Sequence, residues 1–310
     1  MTLPNFLIFG VQKAGTTSVY TYLSQQPQVY MSPVKEPGFM GCETSKMSAA
    51  AAAKAVPQFT PGGRKRILTL ADYESLFDGV SGEVAIGEIS PNSLFCYPDA
   101  VADIKTYVPD AKLIAILRNP VERAYSDYLM NVREIRGNLK PLGEQVKTSA
   151  TTSHTLLKGL YYEGIKHFLT SFEPNQVKIF LYDDLCRDSS GLMRELYDFI
   201  GVDNGFEPDT AQRSQTAQVP KNQSINQLLR TDNPLRTAAA NLLRTVVSEQ
   251  QRQKLRSYLI KANSAGKGKM PLLEEDRRLL EDYYREDILR LQDLLKWDLS
   301  SWLQIRSAAA

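Results

Sequence analysis

Cysteine and histidine are scarce in this chain. Its 310 residues include three cysteines, Cys42, Cys96 and Cys186, and two histidines, His154 and His167. The cysteines are widely spaced and form no Cys-x-x-Cys pair, which argues against a disulfide framework and for a reducing compartment. Neither histidine has a second His or Cys at ligand spacing, so no metal site is expected. Long apolar runs are missing too: nothing approaches the ~18 residues needed to span a bilayer. From Met1 the chain goes almost directly into Phe6-Leu7-Ile8-Phe9, without the basic segment, apolar stretch and cleavage site of a signal peptide. A cytoplasmic location is the expectation. An excess of either charge is also lacking. With 37 Lys+Arg against 35 Asp+Glu the net charge is +2, which omits the footprint of a dedicated nucleic-acid binder and leaves room for a local basic pocket.

What is present is an ordinary globular composition, 43% hydrophobic and 23% charged. Phe6 to Phe9 is a short apolar run ending at Gly10, suited to a buried parallel strand. Lys112 to Leu117 and Val177 to Tyr182 repeat the pattern. Each run precedes a helix-like segment, at Thr17 to Gln25, Pro120 to Arg136 and Gly191 to Ile200. Alternation of this kind predicts an α/β fold: a P-loop-like three-layer arrangement with a mostly parallel central sheet flanked by helices and ligands at the carboxyl ends of the strands. Asn119, Pro120 and Glu122 fit a helix start with a capping box. From Leu272, Leu273, Leu279, Leu280, Tyr283, Ile288, Leu291, Leu294 and Leu295 recur at helical spacing, so a long amphipathic helix is expected. Trp297 and Trp302 are expected to pack against the core.

No internal repeat or clear boundary divides the chain, and a single domain over 1–310 is expected. Residues 41–70 stand apart, with Ser- and Ala-rich pieces, Pro61-Gly62-Gly63 and the basic triplet Arg64-Lys65-Arg66. They predict a mobile lid insertion, with a short helix at Ala49 to Ala53. Residues 261–271 predict a second flexible connection.

The richest segment is Gly10-Val-Gln12-Lys13-Ala14-Gly15-Thr16-Thr17-Ser18, between the first strand and its helix. Glycines there allow a tight turn whose backbone N–H groups, with the helix N-terminus, cradle a phosphate. The nucleoside-triphosphate loop G-x-x-x-x-G-K-[ST] shares both glycines, but Thr16 occupies the lysine position and the lysine stands inside the loop at Lys13. That shift argues against an ordinary kinase. The second segment is Leu117-Arg118-Asn-Pro-Val-Glu-Arg-Ala-Tyr-Ser126. Arg118 stands at a strand's carboxyl end, and Ser126 lies seven residues after Asn119, two helical turns on and on the same side. An arginine fork and a hydroxyl there suit a second phosphate.

These two segments resemble the two cofactor signatures of the sulfotransferases that use 3′-phosphoadenosine-5′-phosphosulfate (PAPS). Lys35-Glu36-Pro37-Gly-Phe39 is similar to the K-E-x-x-F stretch of the heparan-sulfate and bacterial branches, and Gly87-Glu88-Ile89-Ser90-Pro91 to their G-E-x-S-P stretch. The tail Leu294 to Trp302 resembles the usual end of the catalytic domain. The resemblance implies that Lys13 contacts the 5′-phosphate and the bridging oxygen, with Ala14, Gly15, Thr16, Thr17 and Ser18 completing the loop. It implies that Arg118 and Ser126 hold the 3′-phosphate and that Glu36 is the general base. The implied reaction moves a sulfuryl group from PAPS to an acceptor hydroxyl, less readily an amine, leaving adenosine 3′,5′-bisphosphate. The acceptor classes are a carbohydrate, a small metabolite, a lipid or an acyl group on a carrier protein, as in polyketide-type assembly lines.

Ile89 departs from the animal heparan-sulfate branch, which commonly has a lysine there, so one sulfate-facing cation is absent or supplied elsewhere. Glu88 is a second candidate base or a buried structural carboxylate, and His167 a third candidate catalytic group. Lys221-Asn222, after Pro220, is the candidate late loop at the 3′-phosphate. Residues 41–70 and Tyr161 to His167 are expected to shape the acceptor pocket. Two rival functions remain, an ATP- and Mg²⁺-dependent P-loop phosphotransferase and a non-enzymatic adenine-nucleotide-binding module.

Overall fold

The computed structural model describes residues 2–41, 67–134, 139–210, 218–222, 258–259, 262–266 and 270–303. Phe6–Gly10 (β1) is buried along its length, as a strand covered on both faces must be. It joins Val29–Met31 (β2), Ala85–Ile89 (β3), Lys112–Leu117 (β4) and Val177–Leu181 (β5) in a five-stranded sheet of order β2-β3-β1-β4-β5. Every pairing is parallel. Connections from β1 leave toward the β3 side, and the chain later returns on the β4 side. Such divergence leaves a crevice at the carboxyl end of β1.

Thr16–Leu23 (α1) follows β1. Leu70–Glu74 (α2) and Tyr97–Tyr107 (α3) flank β3 in sequence, and Pro120–Glu134 (α4) follows β4. Next come Leu142–Ser149 (α5), His154–Leu157 (α6) and Tyr162–Ser171 (α7). Tyr182–Arg187 (α8) and Ser189–Ile200 (α9) follow β5, and Glu274–Leu295 (α10) closes the helical series. Asn119 caps α4 as its sequence implies: its Oδ1 accepts from the Val121 and Glu122 N–H groups at 2.9 and 3.3 Å.

The apolar runs expected as strands form β1, β4 and β5. β2 and β3 were not legible as strands. In β3 a glycine and a glutamate interrupt the apolar pattern, and packing explains the glycine: a Cβ on Gly87 would sit 2.0 Å from the Phe6 ring. The amphipathic stretch forms α10 and buries Leu280, Tyr284, Ile288 and Leu291. Tyr284 therefore makes the core contact that the pattern assigned to Tyr283.

The chain clusters into two compact units. The first comprises Met1–Arg123, Leu157–Ser214 and Tyr284–Ala310 and contains the parallel sheet. Phe9 and Phe168 stack in its interior with centroids 3.9 Å apart, and Trp302 meets Tyr161 edge-on at 6.4 Å. The second comprises Ala124–Leu156 and Gln215–Tyr283. In it Gln218–Pro220 (β6) pairs antiparallel with Ser264–Gly266 (β7). Ser264–Gly266 thus forms a short strand within the segment expected as a flexible connection, held by a partner ~45 residues away that no local pattern reveals.

Most of the expected lid, with the Ala49 to Ala53 helix and the Arg64-Lys65-Arg66 triplet, lies outside the described residues. At its far end Ile67 and Leu68 are buried, and the Thr69 hydroxyl caps α2 by accepting from the Asp72 N–H at 3.1 Å.

Candidate active site

The turn between β1 and α1 has a backbone that suits an anion. Gly15 precedes α1 at φ 78°, a conformation open to glycine at no steric cost. A Cβ there would also lie 2.7 Å from Leu185 and 3.0 Å from Tyr182, so α8 closes against the turn only because the side chain is absent. No side chain caps α1, which leaves its first turn facing the crevice with the positive end of the helix dipole. Lys13 holds φ 73° and is half-buried. Ala14 and Thr16 are buried, Ser18 is half-buried and Thr17 is exposed.

Arg118 reaches this turn from the carboxyl end of β4. Its Nη1 donates to the Lys13 carbonyl oxygen at 2.7 Å. The guanidinium lies 4.6 Å from the centroid of the Tyr182 ring, and its Nη2 is 4.0 Å from Glu122. Five N–H groups in a planar fork leave donors beyond these contacts for a phosphate. The Tyr161 hydroxyl donates to the Arg118 carbonyl oxygen at 2.9 Å, fixing the backbone from which the guanidinium extends. Burial pushes the Tyr161 hydroxyl well above its ordinary pKa, so it stays a donor.

Two carboxylates stand on the other side, and their surroundings differ sharply. The Glu36 N–H donates to the Ile89 carbonyl oxygen at 3.0 Å, tying the loop to the end of β3. Its backbone has φ 59°, its side chain is 43% exposed, and Oε1 accepts from Lys35 Nζ at 2.8 Å. Glu88, inside β3, is 1% exposed. Neither of its oxygens has a partner in hydrogen-bonding geometry, and neither does the Tyr73 hydroxyl. Burial pushes the Glu88 carboxyl up to about 7, an effect that the nearby Tyr73 and Ser90 hydroxyls only partly offset. Glu36 can meet an acceptor from solvent. Glu88 cannot without the strand opening.

The remaining candidates have surroundings of their own. His167, on α7, packs its ring at 5.3 Å from Tyr97 at the start of α3. Ser126 is buried on α4, within the second unit. Lys221 and Asn222 belong to that unit as well. There Lys221 Nζ donates to the Ala262 carbonyl oxygen at 2.8 Å, and Asn222 exchanges hydrogen bonds with Asn263. A cavity of about 600 Å³ runs along β5 beside Lys178, Glu195 and Trp297 and is lined by none of the candidate residues.

Three residues at the site escaped sequence reasoning. Tyr182 stands at the carboxyl end of β5, where the logic that singled out Arg118 would have found it. Tyr161 was placed at the acceptor pocket, yet it is 1% exposed and supports Arg118 from behind. Lys158 gave no local signal: its Nζ reaches Gln12 Oε1 at 2.9 Å across 146 residues of sequence.

Comparison with known proteins bears on this geometry. A family model described as the sulfotransferase family matches residues 4–208. Mouse carbohydrate sulfotransferase 15 is 32% identical over 161 residues, covering 41% of this chain and 27% of its own length. Human heparan sulfate glucosamine 3-O-sulfotransferase 3B1 is 27% identical over 206 residues, covering 64% and 46%. The chain thus spans about a quarter to a half of these curated relatives. A crystal structure of a sulfotransferase from Alicyclobacillus acidocaldarius superposes with a TM-score of 0.67 at 28% identity, covering 98% of this chain and 100% of that one.

Proposed function

The chain belongs to the sulfotransferase family, and on that premise we propose that it moves the sulfuryl group of PAPS to an acceptor hydroxyl. The observation that carries this reading is the 2.7 Å hydrogen bond from Arg118 to the carbonyl oxygen of Lys13. It puts the guanidinium proposed for the 3′-phosphate beside the turn proposed for the 5′-phosphosulfate, close enough for one nucleotide to engage both.

In the proposed reaction the acceptor oxygen forms a bond to sulfur as the bond from sulfur to the bridging oxygen breaks. The electron pair of that bond leaves on the 5′-phosphate of adenosine 3′,5′-bisphosphate. Lys13 stabilises the charge growing on the bridging oxygen. Glu36 takes the acceptor's proton, because it is the accessible carboxylate of the two. Thr16, Thr17 and Ser18 supply loop donors. Carbohydrate hydroxyls are the first acceptors to test, since the curated relatives are named for carbohydrate and heparan sulfate sulfotransferases.

Calorimetric titration with adenosine 3′,5′-bisphosphate, then incubation with ³⁵S-labelled PAPS and an acceptor panel, tests the reading. Saturable binding and a labelled product are expected. Absence of bisphosphate binding overturns it, and tight binding without transfer to any acceptor makes the chain a nucleotide-binding module.

A further inference from the structure

The turn that carries Lys13 has two borders, and the sheet order separates them, because β1 lies between β3 and β4. On the β4 side stands Arg118. On the β3 side Pro91, Leu94 and Phe95, together with Lys158 and Leu160 ahead of α7, enclose a small recess against Val11 and Gln12. Apart from Gln12 and Lys158 its walls are apolar. The Lys158 ammonium donates to Gln12 Oε1 at 2.9 Å and lies 5.7 Å from the centroid of the Phe95 ring, where the ring face also favours a cation.

This contact decides what Gln12 can offer. A carboxamide is ambivalent, with an accepting oxygen and a donating N–H₂, and its neighbours set its orientation. An ammonium only donates. Lys158 therefore takes the oxygen and leaves the Gln12 N–H₂ turned away from itself, as a donor beside Lys13. The β3 side is also the side on which Ile89 anchors Glu36, so this donor shares its border with the proposed base.

We propose that Gln12 binds the non-bridging oxygens of the sulfuryl group and that Lys158 is the positioning residue that fixes its carboxamide as a donor. The proposal rests on the sulfotransferase reading and adds to it a sulfuryl-binding pair opposite Arg118. As the bond to the bridging oxygen lengthens, negative charge stays spread over the sulfuryl oxygens. A fixed donor there holds the group in line with the acceptor without reorganising during transfer.

The product bisphosphate lacks the sulfuryl group, and the test uses that difference. Lys158→Ala is expected to lower kcat with PAPS by about 10²–10³-fold, the range of losing one transition-state donor. Its affinity for adenosine 3′,5′-bisphosphate should stay within about twofold of wild type, since a uniform-binding contact is not what was removed. Lys158→Arg keeps a cationic donor and should recover most of the rate. Gln12→Ala should match the loss of Lys158→Ala, with the double variant no worse than either, the mark of one coupled unit. Gln12→Glu, which keeps a bond to Lys158 but removes the N–H₂, should lose at least as much. Should Lys158→Ala not fold, Lys158→Met, which keeps the apolar stem, and Gln12→Glu decide the question. Additive losses, equal loss of rate and bisphosphate affinity, or unchanged kcat in Lys158→Ala would overturn the proposal. Failure of the wild-type chain to bind the bisphosphate strikes the sulfotransferase reading instead, so the two failures are distinguishable.

Discussion

Lys13 and Glu36 hold left-handed backbone conformations, φ 73° and 59°, and among the described residues Lys296 is the only other non-glycine to do so. Each such residue costs ~1 kcal/mol or more and persists where the surroundings hold it. Here the surroundings are Arg118, bonded to the carbonyl of Lys13, and Ile89, bonded to the amide of Glu36. Strain at both residues assigned to the chemistry marks positions that the surrounding structure, not local preference, holds in place. Lys13→Ala is expected to abolish measurable transfer. Glu36→Gln is expected to lower kcat on the order of 10²–10⁴-fold, the usual contribution of a positioned base, while leaving bisphosphate affinity nearly intact by calorimetry. A normal rate in Glu36→Gln would move the base elsewhere. Glu88 differs in kind. Its carboxyl, raised from about 4.5 to about 7 by burial, binds a proton more readily folded than unfolded. Its contribution to stability is therefore full below about pH 4.5 and is lost as pH rises through about 7. Glu88→Gln removes the ionisation. Denaturant unfolding should show the variant gaining on wild type between pH 5 and pH 8.5 by roughly 2–4 kcal/mol. An unchanged difference across that interval would refute the assignment.

At the scale of elements, the site depends on how α7 is started. No side chain within α7 caps it. Asp287, on α10, does so from outside, with Oδ2 accepting from the Tyr161 N–H at 2.7 Å and Oδ1 from the Tyr162 N–H at 3.2 Å. Beside it Arg290 pairs with Glu163 at 2.7 Å and lies 3.9 Å from the Tyr162 ring centroid. Burial raises the Asp287 carboxyl to about 6, and the two amides and Arg290 hold it from rising further. From Asp287 a chain of hydrogen bonds runs through Tyr161 to Arg118 and on to Lys13. Asp287→Ala should cost ~1 kcal/mol of stability through the lost cap. It should also weaken bisphosphate binding measurably, although residue 287 is not among the residues proposed to contact the nucleotide. Loss of stability with unchanged affinity would show that α7 and the anion site are independent. The turn before α1 is the second critical junction, because Gly15 allows both its own positive φ and the close approach of α8.

For the whole molecule, a ligand gripped by two elements of the sheet unit should stabilise it by mass action. At a hundred times its Kd, adenosine 3′,5′-bisphosphate is expected to add ~2.7 kcal/mol, read as a rise of several degrees in melting temperature. AMP, which lacks the 3′-phosphate, should give a clearly smaller rise if Arg118 serves that phosphate. Transfer is also expected to survive a metal chelator; its loss would favour a magnesium-dependent phosphotransferase.

Much of this was legible before folding. The runs that form β1, β4 and β5, the glycine turn and the strand-end arginine all carry local signals, because strand burial, tight turns and helix starts are decided by neighbours in sequence. So does the cap at Asn119. Tertiary structure decided the rest. It placed β3, whose glycine and glutamate hide its period, between β1 and β2, and that placement made Glu88 a sealed carboxyl and Glu36 an open one. It brought Lys158 to Gln12 and Arg118 to Lys13. Contacts between residues more than a hundred positions apart follow from which strands become neighbours, and no local pattern of side chains encodes that order.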